Sequence, residues 1–218
     1  TRLVSDWSSD VCSSDLSKTE QRERPPRDLT LLCFTAGFES DLLVGAGCVA
    51  RVRSVYFGLE SFGFAPMFTQ GAQQGRIEVI EETEASIVMG IRAALAQVSF
   101  MPSRAWIGTD LFALRPDVKQ VEDPYTGEVL TAFPAIHCDL AVLHGLTGDH
   151  EGNVLLNKNL GIDQELVYLA RQVIATVETR VDRMQPELRG MLIPYPGVDV
   201  LVHAALGASP TSCYPQYP

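Results

Sequence analysis

Residues 75–110 carry a strand, a sharp acidic turn and an amphipathic helix in immediate succession. The strand is predicted from Arg76 to Ile80, and the acidic turn follows at residues 81–84. Apolar residues then recur at helical spacing, at Ile87, Val88, Ile91, Ala94, Leu95 and Val98. A group of carboxylates therefore stands where a strand passes into a helix.

Glu84 is the first candidate for a catalytic residue. Thr83 is the predicted N-cap, which places Glu84 in the first helical turn, where free N–H groups and the helix macrodipole favour a negative charge. Glu81 and Glu82 act in the opposite direction, because neighbouring carboxylates make ionisation of any one of them more costly. Glu84 is therefore either a poised acid or nucleophile, or a residue that stabilises the start of the helix.

Strand and helix patterns alternate along the rest of the chain. Strands are predicted at Asp28–Phe34, Val52–Phe57, Val118–Glu122, Glu128–Phe133, Asp139–His144 and Val173–Val177, and a second helix at Ile162–Val173. This alternation predicts an α/β fold with an open, largely parallel sheet and helices on both faces, in a single domain from residue 28 to 218 after a linker at 17–27. Ligands of such sheets bind beyond the carboxyl ends of the strands, where we expect Glu84, Arg104 and the loop at Asp149.

Four further residues are candidates for substrate binding. Arg104 carries a planar fork that suits a phosphate or a carboxylate, or it forms an ordinary surface ion pair. Asp110 lies in the same predicted loop. Phe62 and Phe64 belong to a Gly-rich, Phe-rich loop at residues 58–75 that either closes over a ligand or packs along the sheet edge.

Two other patterns are weaker. Gly45 and Gly47 lack the later glycine and the long helix of a dinucleotide loop, so a tight turn is the favoured interpretation. His144, Asp149 and His150 suggest a metal or an acid–base pair, but no second ligand cluster stands at metal spacing. We therefore expect no metal and no permanently bound cofactor.

Composition excludes several classes of function. The formal net charge of −10 argues against nucleic acid or an anionic membrane as the main partner. The longest apolar runs are far shorter than a membrane-spanning helix. Five scattered cysteines, mostly in apolar runs, are typical of reduced core residues in a cytoplasmic protein.

Both ends of the sequence are unusual. Residues 6–16, DWSSDVCSSDL, resemble the translation of a sequencing adapter, so residues 1–16 are left outside the fold prediction. The C-terminal stretch from Ser209 to Pro218 is rich in Pro and Tyr. We expect the sequence to be a fragment at both ends.

An ordered series of blocks resembles a known family. RDLTLL, LLVGAGCVARV, IEVIEETEASIVMGIRAAL, FMPSR, DPYTGE, PAIHCDLAVLHGLTGDHEGNV and GASPTSCY are similar to the α subunit of family I CoA-transferases, the group of the glutaconate CoA-transferase α subunit, over residues 26–214. The resemblance implies the NagB/RpiA/CoA-transferase-like fold and a heteromeric enzyme with a β subunit. Its substrates would be an acyl-CoA and a free carboxylic acid, with CoA moving between them.

The chain also departs from that family. The resemblance implies a nucleophilic glutamate in a Glu-x-Gly motif of the β subunit, and no such motif stands out here. The Gly-rich loop expected near CoA is absent from the segment at residues 1–16, so the CoA-binding residues stay unassigned. Ser209 occupies a place where relatives commonly have His.

Two other functions remain open. A sister branch of the fold hydrolyses the carbon ring of a CoA ester with a glutamate at the start of this helix, which matches Glu84, with Arg104 orienting a substrate carboxylate. A non-catalytic sensor of acyl-CoA or sugar phosphate is the third, although such sensors usually carry a basic DNA-binding segment that this acidic chain lacks.

Overall fold

A computed structural model describes residues 2–4, 26–158, 161–185 and 190–216. Its strands are β1 (Arg2–Val4), β2 (Leu29–Ala36), β3 (Val49–Phe57), β4 (Glu78–Glu81), β5 (Phe100–Ser103), β6 (Lys119–Glu122), β7 (Val129–Pro134), β8 (Cys138–Asp149), β9 (Val154–Leu156), β10 (Ala170–Val181), β11 (Met191–Ile193) and β12 (Val200–His203). Its helices are α1 (Phe38–Gly45), α2 (Pro66–Gln73), α3 (Glu84–Leu95), α4 (Leu111–Leu114) and α5 (Asp163–Leu169), with a 3₁₀ turn at Glu60–Phe62.

The chain divides into two compact units, and the single domain predicted for residues 28–218 stays a prediction. The first unit comprises Thr1–Val79 and Cys138–Pro218, and the second comprises Ile80–His137. None of the helices among the described residues is long and apolar enough to cross a membrane.

The main sheet has the strand order β11-β9-β8-β1-β2-β3-β4, with β10 paired to both β8 and β12. The pairs β1–β2, β1–β8, β2–β3, β8–β10 and β10–β12 are parallel, whereas β9 is antiparallel to β8 and β11. The predicted α/β fold with a largely parallel sheet is confirmed. Arg2–Val4, which the sequence analysis left outside the fold, form a strand between β2 and β8.

The core of the first unit forms where the predicted apolar runs pair. Leu31, Cys33 and Val52 on β2 and β3 are fully buried, and Leu43 and Val44 of α1 pack against them. Gly47 has a φ of 70° in the turn after α1, which confirms the tight turn predicted there. Helix α1 itself was not predicted.

Helix α2 lies in a segment predicted as loop. Pro66 takes the first helical position, and the carboxylate of Asp41 accepts hydrogen bonds from the N–H groups of Met67 (3.2 Å) and Phe68 (2.7 Å). Phe68 also stacks on Phe57 with ring centroids 4.0 Å apart. The capping carboxylate lies 26 and 27 residues away in the sequence, so local composition does not show it.

The second unit packs α3 near a small antiparallel sheet of order β5-β7-β6. The predicted hairpin around DPYTG is present, since β6 and β7 pair antiparallel. Trp106, Val118 and Phe133 form a buried cluster, and Trp106 meets Phe133 edge to face at 5.1 Å. The helix predicted at Ile162–Val173 ends at Leu169 instead, because Ala170 already pairs with Cys138 of β8.

Asp163 at the start of α5 is a buried carboxyl group. Loss of hydration raises its pKa to about 6, although the N–H of Gly161 donates to it at 2.9 Å. The folded chain therefore keeps a proton that the unfolded chain has lost. Stability from this group is greatest below about pH 4 and falls as the pH rises to about 6.

We expect Asp163→Asn to remove this penalty. Its free energy of unfolding in urea should exceed that of the unmodified chain by about 2 kcal/mol at pH 8 and should match it near pH 4. Glu151→Gln, at an exposed carboxylate, serves as the control and should show no such difference. An equal effect of Asp163→Asn at both pH values would contradict the assignment.

Candidate functional site

Helix α3 begins in a closed capping box, as Thr83 was predicted to provide. The Oγ1 of Thr83 accepts from the N–H of Ser86 at 3.2 Å, and the Oγ of Ser86 accepts from the N–H of Thr83 at 2.7 Å. The indole N–H of Trp106 also donates to Oγ1 of Thr83 at 2.9 Å. Trp106 belongs to the buried aromatic cluster of this unit, so the helix start is tied to that core.

A buried ion pair holds the residues just before the helix. Arg115 and Glu82 are both nearly inaccessible, and Nη1 of Arg115 lies 2.8 Å from Oε1 of Glu82. The same Nη1 donates to the backbone oxygen of Glu81 at 2.8 Å, and Ser86 donates through Oγ to Oε2 of Glu82 at 2.5 Å. These contacts from Arg115 and Ser86 fix the backbone at Glu81 and the side chain of Glu82 in the acidic turn.

Asp117 completes the environment of Arg115. Its carboxylate accepts from Nε at 2.7 Å and from Nη2 at 2.8 Å. Burial alone would lower the pKa of Arg115, but the hydrogen bonds and negative charges of Asp117 and Glu82 outweigh it and raise the pKa above its ordinary value. The guanidinium therefore stays charged and keeps its three anchors.

Glu84 stands at the first position of α3 on this fixed turn, and its side chain is exposed. Of the three neighbouring glutamates, Glu82 is the buried one, which the sequence pattern does not distinguish from the other two. The side chain of Glu84 therefore projects into solvent from a backbone that the contacts of Thr83, Glu82 and Arg115 hold in place.

Arg104 and Asp110 lie in the same unit as Glu84. The guanidinium of Arg104 donates through Nε and Nη2 to both carboxylate oxygens of Glu128, each at 2.6 Å. The ion pair and hydrogen bonds with Glu128 raise the pKa of Arg104. Arg104 was predicted either to bind a ligand or to form a surface ion pair, and its geometry is that of a surface ion pair. Asp110 is exposed and precedes α4.

The buried Arg115–Glu82 pair and the exposed Arg104–Glu128 pair allow the effect of burial on stability to be compared. Arg115→Met should lower the free energy of unfolding by about 3 kcal/mol, because it leaves the buried carboxylate of Glu82 without the positive charge of Arg115. Arg104→Met removes a pair of similar geometry at the surface, where solvent screens it, and should have a much smaller effect. Urea unfolding of the two variants measures the difference, and equal losses would contradict the role given to burial.

A cavity of about 650 Å³ opens in the first unit at the carboxyl ends of β2 and β3. It is lined by residues 35–39, Tyr56, residues 58–60, Phe62 and residues 210–212. Phe62, a predicted substrate-binding residue, stands at its rim and is 90% exposed. Phe64, predicted with it, is 85% exposed and is not part of the lining.

Glu39 is a buried carboxyl in the wall of this cavity, and the sequence analysis did not single it out. Its Oε1 accepts from the N–H of Gly37 at 3.1 Å and from Oγ of Ser40 at 2.8 Å. Burial raises the pKa of Glu39, although these hydrogen bonds act in the opposite direction. The sequence shows only that Glu39 is acidic, and its burial is seen only in the folded chain.

The C-terminal wall of the cavity is held by a buried histidine and glutamate. Nε2 of His144 lies 2.7 Å from Oε1 of Glu178, and Nδ1 lies 2.7 Å from Oγ1 of Thr176. The carboxylate of Glu178 also accepts from the N–H groups of Leu206 at 2.7 Å and Ala208 at 3.4 Å. This network fixes the segment that leads directly into residues 210–212 of the lining.

His144 was predicted beside Asp149 and His150, but the three residues have separate partners. Burial acts to raise the pKa of Asp149, yet hydrogen bonds from Asn153 and from backbone N–H groups outweigh it and lower the pKa. His150 contacts the backbone oxygen of Asp182. Within the described part of the chain, the group close enough to share a metal ion is His144, Glu178 and Cys213, whose donor atoms lie within 4.8 Å of one another.

A protein-family model and a known protein match this chain over most of its length. The model of a family described as coenzyme A transferase matches residues 19–204. The chain is 29% identical over 194 residues to the α subunit of a 3-oxoadipate CoA-transferase from Pseudomonas knackmussii, a match that covers 88% of this chain and 69% of the relative.

Two further relatives have other activities. The chain is 30% identical over 207 residues to the IpdA subunit of a cholesterol ring-cleaving hydrolase from Mycobacterium tuberculosis, covering 87% of this chain and 69% of the relative. Among solved structures, the decarboxylase AibA/AibB superposes with a TM-score of 0.88 at 29% identity, over 100% of this chain and 82% of the other.

Proposed function

This chain belongs to the coenzyme A transferase family, and we propose that it is the α subunit of a two-chain enzyme that moves CoA between an acyl-CoA and a free carboxylic acid. The family match across residues 19–204 carries this proposal, and the similarity to the α subunit of a 3-oxoadipate CoA-transferase supports it. In this proposal the partner β subunit supplies the nucleophilic glutamate. The support is that no convincing Glu-x-Gly motif occurs in this chain.

The reaction needs a nucleophile and a site that holds the acyl group. A glutamate attacks the thioester, and the exchange passes through enzyme-bound glutamyl-CoA, which divides one difficult transfer into two easier steps. We assign the acyl group to the cavity of the first unit. It lies at the carboxyl ends of adjacent parallel strands, the usual place for ligands of an open sheet, and its volume of about 650 Å³ suits a small molecule.

Transfer should require both chains. We expect this chain alone to be inactive and its complex with its β subunit to exchange CoA between an acyl-CoA and a free acid. Borohydride trapping followed by intact-mass measurement should place the reduced glutamate on the partner. Full transfer activity of this chain alone would contradict the proposal.

Hydrolysis of a CoA ester is the second candidate function. The similarity to the IpdA subunit favours it, together with the exposed position of Glu84 on a fixed helix start. Here Glu84 would act as general base to a water molecule or as nucleophile. The surface pairing of Arg104 with Glu128 weighs against the further idea that Arg104 orients a substrate carboxylate.

Glu84→Gln separates the two functions in the complex of both chains. If the enzyme is a hydrolase, this variant should lose about 10²- to 10⁴-fold in kcat and still bind the acyl-CoA, because it keeps the shape and removes only the charge. Glu81→Gln, an exposed neighbour, is the control and should retain turnover. Hydrolysis by Glu84→Gln at the original rate would eliminate the hydrolase assignment.

A further inference from the structure

The lining of the cavity contains two acidic residues. Glu39 is buried in its wall and Glu60 stands exposed in its lining. None of the lining residues, each of which the structure describes, is Lys, Arg or His. A ligand carboxylate placed here would meet two acidic groups and no cation from this lining.

Several backbone donors of the lining already have acceptors within the protein. The N–H of Gly37 donates to Glu39, and the N–H of Gly58 donates to the oxygen of Ala36. The N–H groups of Leu59, Phe62 and Thr211 donate to other backbone oxygens. Thr211 also donates its hydroxyl to the oxygen of Ala208 at 2.5 Å. These groups therefore do not supply the hydrogen bonds that a desolvated carboxylate requires.

Apolar side chains form much of the remaining wall. The rings of Phe38, Tyr56 and Phe62 and the side chains of Leu59 and Pro210 face this space. Transfer of a hydrocarbon group from water to such a surface is favourable, whereas a carboxylate loses hydration there and finds no cation in the lining.

We propose that the cavity accepts a neutral, mainly apolar acyl group and disfavours an acyl group that ends in a carboxylate. This inference rests on the proposed function, because it assigns the cavity to the acyl part of the thioester. It separates this chain from its relative that acts on 3-oxoadipate, a dicarboxylic acid.

Hexanoyl-CoA and adipoyl-CoA test the proposal because their acyl chains have the same length and differ in the terminal carboxylate. Binding is measured by calorimetry and transfer by kcat/KM, both with the complex of this chain and its β subunit. Hexanoyl-CoA should bind at least about ten-fold more tightly and react with a correspondingly higher kcat/KM. Equal or tighter binding of adipoyl-CoA would overturn the proposal.

A charge series at Glu60 links the preference to this cavity. Glu60→Gln and Glu60→Lys keep a side chain unbranched at Cβ, so the left-handed φ of 51° is equally accessible to them. Each unit of charge should shift the hexanoyl-to-adipoyl ratio by about five-fold toward adipoyl-CoA. Glu122→Gln and Glu122→Lys, at an exposed position of the second unit, control for net charge. An unchanged ratio across the Glu60 series would exclude this cavity as the acyl site.

The two measurements separate this inference from the proposed function. Hexanoyl-CoA preference in binding without any CoA transfer would support the inference and reject the transferase proposal. Transfer from both thioesters with adipoyl-CoA preferred would do the reverse.

Discussion

The parallel pairing of β8 with β10 determines where the buried polar groups of the first unit meet. Its register places His144 opposite Thr176, and Glu178 follows two residues later on the same face of β10. One imidazole therefore reaches both partners, each at 2.7 Å. The carboxylate of Glu178 then holds the backbone at Leu206 and Ala208, and so the strand register fixes one wall of the cavity.

Burial decides what the charged groups of the second unit contribute. Arg115 with Glu82 and Arg104 with Glu128 are both close arginine–glutamate pairs, but only the first is removed from solvent. A buried pair costs desolvation free energy, so its value lies in a fixed geometry, and here that geometry fixes the turn that carries Glu84. The exposed pair on Arg104 imposes no comparable constraint, because water screens both partners.

Local patterns in the sequence predicted the elements whose causes are local. Thr83 caps α3 through Ser86, three residues away, and the apolar runs of β2 and β8 identify their strands. Distant partners were not visible in the same way. Helix α2 depends on Asp41, and the pairing of Arg104 depends on Glu128, 24 residues further along the chain.

Some residues of the candidate site were likewise predictable from local sequence, and others were not. Phe62 was predicted as a substrate-binding residue from the composition of its loop, and the structure places it in the lining of the cavity. Glu84 was placed at a helix start from spacing and family resemblance. Glu39 and Glu82 were not distinguished from their acidic neighbours, since burial is a property of the folded chain. The acidic lining of the cavity likewise appears only in the folded chain, where Glu39 of α1 and Glu60 of the 3₁₀ turn border the same space.

The relatives of this chain include subunits of a transferase, a hydrolase and a decarboxylase, so the shared fold does not by itself select the reaction. In each case the fold supplies positions at the ends of strands and helices, and the side chains at those positions determine the chemistry. In this chain the start of α3 presents an exposed carboxylate on a fixed turn, and the ends of β2 and β3 border a cavity without a lining cation. In our proposals the first feature bears on the choice of reaction and the second on the choice of acyl group. Because different side chains carry them, acyl selectivity can change while the reaction stays the same.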